Sequence, residues 1–260
     1  MSADRDEVRA YYRRILPFFD LELSDRGDAG FWIRAVAETP GCRVLELGAG
    51  TGRATAFLAR HARRVVAFDI SPELIAAARH RLAGLPQVGL FVADMREVRL
   101  RGRFDLVAAV DDPFSHLIRG EDRDRTLDSV ARHLAPEGRF LLDAAWLPPE
   151  QRRIAAKPRG WVQKRCAGRT GLQVREVWHC NADSRICTAR WEYRLGRCAE
   201  EASFQARLWS VEELERRGRR AGLRISRLWG DYDGRPWHRT TSPRLIAEMK
   251  AIPFHGSPTP

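Results

Sequence analysis

The sequence predicts an α/β protein built on a doubly wound, mostly parallel sheet, and three observations carry that reading. Short apolar strands alternate with amphipathic helices between residues 40 and 146, the pattern of a parallel sheet covered on both faces. Glycines cluster where the first of those strands ends, as a chain must when its backbone turns sharply beside a ligand. Between 161 and 209 the pattern changes, and in three segments apolar residues recur at every second position instead, so an antiparallel β insert is expected after strand five.

The elements follow in order. Val8, Tyr11, Tyr12, Ile15, Phe18 and Phe19 fall at helical spacing over 5–19, and Phe31, Trp32, Ile33 and Val36 mark a second helix over 29–38. Arg43–Leu47 reads as a strand, Ala54, Phe57, Leu58 and Ala59 as a helix, and 64–68 as the second strand. Ser71 then caps a helix with Pro72 in its first turn. Strands at 88–92 and 104–110, a helix at 122–134 and a strand at 139–145 continue the alternation, with right-handed crossovers. In the insert, Trp178 and Cys180 share one strand face, Cys187, Ala189, Trp191 and Tyr193 the next, and Phe204, Ala206 and Leu208 a third; Asn181-Ala182-Asp183-Ser184 is the turn between the first two. Ser210 and Glu213 form a capping box that opens a helix to about 221, and strands at 223–229 and 243–249 close the fold. One domain spans 1–260: helical residues 1–38, a core over 40–146 and the insert over 160–209.

Composition narrows the class. At 260 residues, 44% hydrophobic and 30% charged, the chain can bury the core of a soluble globular protein. No run of about 18 uncharged apolar residues is present, so no membrane span is expected, and the charged start Met1-Ser2-Ala3-Asp4-Arg5-Asp6 points to a cytoplasmic location. The five cysteines are odd in number and include no C-x-x-C pair. They are expected to be free, buried thiols, with no metal site: His179 and Cys180 would point to opposite faces of one strand. The net charge of +11 rests on 42 arginines among 45 basic residues, an imbalance that genome composition alone produces. With these arginines spread along the chain and no basic tail, nucleic acid is not the expected partner.

The informative stretch is Val44-Leu45-Glu46-Leu47-Gly48-Ala49-Gly50-Thr51-Gly52-Arg53. A dinucleotide fingerprint needs G-x-G-x-x-G, and Arg53 stands where its third glycine belongs. The order here is instead G-x-G-x-G behind an acidic residue. That arrangement resembles motif I of the class I S-adenosylmethionine methyltransferases. Further matches lie in order: Asp69 ending the second strand, Asp94-Met95 after the third, Phe104-Asp105-Leu106-Val107 followed by Asp111, and Leu134-Ala135-Pro136-Glu137-Gly138 leading into strand five, with glutamate in place of the family's first glycine.

The resemblance implies a Rossmann-like sheet with one antiparallel strand near the C-terminus, and S-adenosyl-L-methionine as cofactor. It implies a cofactor site of Glu46, Gly48, Ala49, Gly50, Gly52, Asp69, Ile70, Asp94, Met95 and Asp111. Asp69 would accept the ribose hydroxyls and Asp94 the adenine amine, with Met95 packed on the ring. Residues 40–146 carry the likeness closely. In the flanks, Tyr11-Tyr12, Phe18-Phe19-Asp20, Phe31-Trp32 and Trp229-Gly230-Asp231-Tyr232-Asp233-Gly234 resemble bacterial small-molecule methyltransferases such as glycine N-methyltransferases and amino-sugar N,N-dimethyltransferases. By that analogy Tyr12 and Trp32 are lid residues and the insert covers a small-molecule acceptor.

Methyl transfer from a sulfonium is one in-line displacement, for which holding the reactants in place removes roughly 7–11 kcal/mol of barrier. A base is needed only where the acceptor's proton is tightly held. His116, in Asp111-Asp112-Pro113-Phe114-Ser115-His116, is the candidate catalytic residue. Asp112, Asp231, Tyr232 and Trp237 are candidates for the acceptor rim, and Arg175, Arg190 and Arg194 lie opposite the insert's apolar face. An RNA methyltransferase and a non-catalytic S-adenosylmethionine-binding protein stay open as alternatives, as do a homodimer and the atom methylated.

Overall fold

The computed structural model describes residues 3–24, 26–167, 170–181 and 183–253. In chain order it contains α1 (Ala3–Glu22), α2 (Ala29–Ala37), β1 (Arg43–Leu47), α3 (Arg53–Ala59), β2 (Arg64–Asp69), α4 (Pro72–Arg81), β3 (Val88–Val92) and β4 (Phe104–Ala109). A 3-10 turn at Pro113–His116 precedes α5 (Gly120–His133) and β5 (Leu134–Ala144). Then come α6 (Pro149–Ala155), β6 (Trp161–Ala167), β7 (Leu172–Cys180), β8 (Ile186–Leu195), β9 (Cys198–Arg207), α7 (Val211–Arg220), β10 (Leu223–Trp229) and β11 (Leu245–Ala251).

Seven strands form one sheet in the order β10-β11-β5-β4-β1-β2-β3. β3, β2, β1, β4 and β5 pair in parallel, and β11 runs antiparallel to both its neighbours. The middles of the parallel strands are mostly apolar because helices cover both faces: Val44, Leu45, Val65, Ala67, Leu106, Val107 and Ala108 are all buried. Two caps behave as their sequences dictate. Ser71 Oγ accepts from Leu74 N at 3.2 Å and Ser210 Oγ from Glu213 N at 3.1 Å, starting α4 and α7.

The insert is a separate four-stranded antiparallel sheet, β6-β7-β8-β9. Its register aligns Trp178, Ala189 and Phe204 across three strands, and Glu176, Trp191 and Ala202 one row along, so the alternation read from sequence becomes one continuous face. That face packs on α1, where Tyr11, Ile15 and Phe18 join Val174, Trp191 and Tyr193 in a common cluster. The other face carries Arg175, ion-paired to Glu192, and Arg190, paired to Glu192 and Glu201.

Several expectations need correction. α6 and β6 were not foreseen; Pro148 and Pro149 introduce α6, and β6 lacks the alternation of its neighbours. The segment Leu134–Gly138, expected to lead into a strand at 139–145, is already part of β5: Leu134 pairs with Phe104, and a register shift between Phe104 and Leu106 absorbs the extra residues. Gly138 sits there because a Cβ would lie 2.8 Å from the Phe104 carbonyl. The cysteines are not all free and buried. Cys180 and Cys187 face each other across β7 and β8 and form a disulfide, while Cys166 and Cys198 are exposed and Cys42 alone is a buried thiol. An odd count fixes only that at least one cysteine is left over; the hairpin register decides which two meet. Ala182 of the expected hairpin turn lies outside the described residues, as do Met1 and Ser2. Among the described residues no helix is long and apolar enough to cross a membrane.

Candidate active site

The glycine turn follows β1 at the carboxyl edge of the sheet. Gly48 and Ala49 both donate to the Phe68 carbonyl, at 3.0 and 2.9 Å, which fastens the turn to the end of β2. Gly48 has φ +75°, and a Cβ there would stand 2.6 Å from the Pro113 Cβ. The turn after β1 and the segment after β4 therefore touch only because this residue has no side chain. Gly52, also at positive φ, opens α3.

Two carboxylates flank the turn. Asp69 accepts from Gly50 N on Oδ2 and from Ser71 N on Oδ1, each at 2.9 Å. Burial pushes its pKa up, and those N–H groups offset part of the rise. Glu46 is 1% exposed; its Oε2 accepts from the Thr55 hydroxyl at 2.6 Å. Burial pushes this carboxyl up to about 8 against the smaller opposing pull of Thr55 and Arg53, so it is mostly protonated at neutral pH in the free protein. Asp94, after β3, behaves oppositely. Burial raises it, but the hydrogen bonds and charge of Arg96, together with Arg5, hold it below the usual carboxylate range; Arg5 Nε lies 2.8 Å away and Arg96 NH2 2.7 Å.

Beyond β4 the backbone is strained. Asp111 and Asp112 have φ of +61° and +62°, a conformation uncommon outside glycine that persists only where neighbours enforce it. Asp111 is ion-paired to Arg26, and Asp112 Oδ1 accepts from Ala145 N at 2.7 Å. Burial raises both carboxyls. At Asp111 the charges of Arg26, Arg53 and Arg244 win and hold it low, whereas at Asp112 burial and the nearby Asp143 keep it well above the usual range. His116 follows on the 3-10 turn. Its Nε2 lies 2.8 Å from the Tyr12 hydroxyl, its Nδ1 is buried without a hydrogen-bond partner among the described residues, and burial lowers its pKa to about 4. The ring is 4.4 Å from Phe204, which stacks on Trp191 at 5.0 Å.

These groups line a single cavity of about 240 Å³. It holds Tyr12, Glu46, Gly48, Ala49, Gly50, Asp69, Ile70, Asp94, Met95, Asp111, Asp112 and His116 together. Trp32 is not among them: it is 0% exposed in the core with Phe31 and Val36, so it is a packing residue and no lid. Gly52 lies just behind the wall, against Ala78 and Leu82. Three rim candidates also stand elsewhere. Tyr232 donates to Asp143, Asp231 pairs with Arg235 and Arg244, and Trp237 packs on Trp146. Sequence reasoning missed Phe19, Arg26, Trp178, Trp191 and Phe204 as cavity residues. The last three carried a signal, being bulky aromatics in the insert's apolar rows, but nothing in the chain tells an insert face that packs on itself from one that walls a cavity.

A sheet in this order, with a glycine turn after β1 and a carboxylate ending β2, is the arrangement of the class I S-adenosylmethionine-dependent methyltransferases, and the chain carries a methyltransferase domain. Residues 44–138 match the methyltransferase domain family. The chain is similar to magnesium-protoporphyrin O-methyltransferase of Rhodobacter capsulatus, 39% identical over 115 residues, covering 41% of this chain and 51% of that protein; the match thus spans about half of that relative. It is also similar to the dTDP-3-amino-3,6-dideoxy-alpha-D-glucopyranose N,N-dimethyltransferase of Streptomyces fradiae, 26% identical and covering 74% of each chain. In fold it resembles an S-adenosylmethionine-dependent methyltransferase of Clostridium acetobutylicum at a TM-score of 0.74, with 18% identity, 93% of this chain and 99% of the other covered.

Proposed function

We propose that the chain transfers a methyl group to a nitrogen or oxygen of a small molecule held between the carboxyl edge of the parallel sheet and the insert. One observation carries the reading: a single cavity runs from the glycine turn, Asp69 and Asp94 to His116, Trp191 and Phe204, so a donor end and an acceptor end share one space. The names of the relatives, with O- and N-methyl acceptors of small-molecule size, support it.

The donor end fits its cofactor chemically. Each Asp69 oxygen spends one hydrogen bond on the backbone and keeps acceptor capacity for a ribose hydroxyl. The glycine turn lets the backbone approach closely, Asp94 can accept from an adenine amine, and Met95 and Ile70 are apolar walls beside it. When bound, S-adenosylmethionine supplies an electrophilic methyl carbon. The chain's own contribution is position and exclusion of water. Tyr12 on α1 and the aromatic rows of the insert close the acceptor end, which makes α1 a cover and the insert a wall. With the Tyr12 hydroxyl donating into Nε2, neutral His116 carries its proton on Nδ1 and presents that donor to an acceptor oxygen or lone pair. A ring with a pKa of about 4 is a weak base, so His116 orients the acceptor and does not remove its proton.

Calorimetry with S-adenosylmethionine and S-adenosylhomocysteine tests the donor end. Release of S-adenosylhomocysteine with a panel of amines, phenols and sugar amines tests the acceptor end. Binding of both nucleosides with turnover on at least one acceptor is the expected result; no heat with either nucleoside refutes the site.

A further inference from the structure

The arginines that are scattered in sequence are gathered by the topology. The cavity lies at the carboxyl ends of the parallel strands. At their amino ends, Arg132 leads into β5, Arg101 and Arg103 into β4, Arg43 begins β1, and Arg63 and Arg64 begin β2. These four strands are consecutive neighbours in the sheet, so the six arginines stand along one edge of it. At about 4.8 Å between strands the row spans about 15 Å, the axial length of roughly four nucleotides of duplex.

Five of the six are exposed and Arg43 is half-buried. Among the described residues none of them has an ion-pair partner. Arg103 donates to the Leu134 carbonyl and Arg43 lies over the Phe104 ring, contacts that fix the row without neutralising it. The carboxylates in the same segments are Asp105, turned to the Arg43 backbone N–H at 2.8 Å, and exposed Glu137. Six arginines along one edge without an ion-pair partner among the described residues form a strong local field, and an exposed guanidinium fork matches a phosphate bidentately. No exposed large apolar side chain belongs to these segments, so the face lacks the wedge that anchors a protein in lipid.

We infer that the amino edge of the parallel sheet is a binding surface for the phosphodiester backbone of nucleic acid, without sequence preference. It stands a strand's length from the cavity, about 16 Å for β1 by rise per residue. It therefore holds the enzyme on a polyanion while the cavity faces away, and does not present the acceptor. The inference is independent of the acceptor's identity.

The test is fluorescence anisotropy of the full chain with a labelled mixed-sequence RNA and a duplex DNA, each of about 20 units, titrated from about 50 to 200 mM salt. Two charge-reversed variants are compared. One is Arg63→Glu with Arg101→Glu and Arg132→Glu. The other is Arg153→Glu with Lys157→Glu and Arg159→Glu, an equal change at exposed positions beside α6. Circular dichroism and thermal unfolding check that both fold. Binding that weakens with salt is expected, with the first variant at least about tenfold weaker and its log–log salt slope shallower by about 2 to 3, while the second stays near wild type. No binding at about 50 mM salt, or equal losses in both variants, overturns the assignment. So does attachment to phosphatidylserine vesicles without binding to either nucleic acid.

Discussion

Glu46 makes donor binding a proton-linked event. Its carboxyl is protonated in the free protein because burial raises its pKa to about 8, yet S-adenosylmethionine brings a sulfonium and an ammonium into the same cavity. A cation beside a buried carboxyl favours the ionised form, so the proton leaves as the donor enters. At pH 7 most of the free protein carries it, and ionising the group costs on the order of 1 kcal/mol. Affinity should therefore rise about tenfold per unit from about pH 6 to 8 and level off above, with close to one proton released per donor at pH 7. The sign for the free protein is opposite. A folded pKa above the unfolded one means that the stability from this group is complete below about 4.5 and is lost as pH rises through about 8. Calorimetry in buffers of different ionisation enthalpy counts the proton, and Glu46→Gln should abolish both its release and the pH dependence. A flat affinity over that range with no proton released would refute the reasoning, as would a Gln variant that behaves like wild type.

Other outcomes follow from the geometry. Gly48→Ala forces a side chain at φ +75° against Pro113 and should cost about 2–4 kcal/mol of stability or, where the loop yields, most of the donor affinity; chemical denaturation and calorimetry separate the two. His116→Ala and Tyr12→Phe should lower kcat with at most small changes in S-adenosylhomocysteine affinity, and kcat should not titrate near pH 6.5, because the native imidazole's pKa is about 4. Arg139→Met removes the nearer of the two ion-pair partners of Glu248, which is 0% exposed and keeps Ser226 and a longer contact to Arg227, and should destabilise by about 3 kcal/mol in urea titration. Reducing Cys180–Cys187, seven residues apart, should cost about 2 kcal/mol and lower Tm by a few degrees.

The parallel core was legible because its strands are buried on both faces and end in glycines and carboxylates whose joint order and spacing fit one arrangement. Gly48, Gly50 and Asp69 stand where the chain must turn and where a carboxylate is held by backbone N–H groups. The caps at Ser71 and Ser210 were equally plain. What was hidden is what tertiary structure alone decides. Trp32 and Tyr12 read alike on their helices, yet one faces α3 and the sheet while the other faces His116. The strain at Asp111 and Asp112 has no sequence signature, since aspartate in a turn is ordinary. Pairing of Cys180 with Cys187 depends on a hairpin register, and β6 was missed because Val162, Gln163 and Lys164 do not alternate. The arginine row was invisible for the same reason: its members are brought together by strand order and not by sequence proximity.

Helix α1 belongs to both halves of the molecule. Arg5, Arg9 and Arg13, one turn apart, reach Asp94, the Ile70 carbonyl and Glu73 on the core, while Tyr11, Ile15 and Phe18 are embedded in the insert. A shift of this helix that accommodates a nucleoside therefore moves residues that pack on the aromatic rows of the insert. Occupancy at the two ends is then thermodynamically linked, and by reciprocity an acceptor that tightens nucleoside binding must itself be held more tightly by the same factor once the nucleoside is in place.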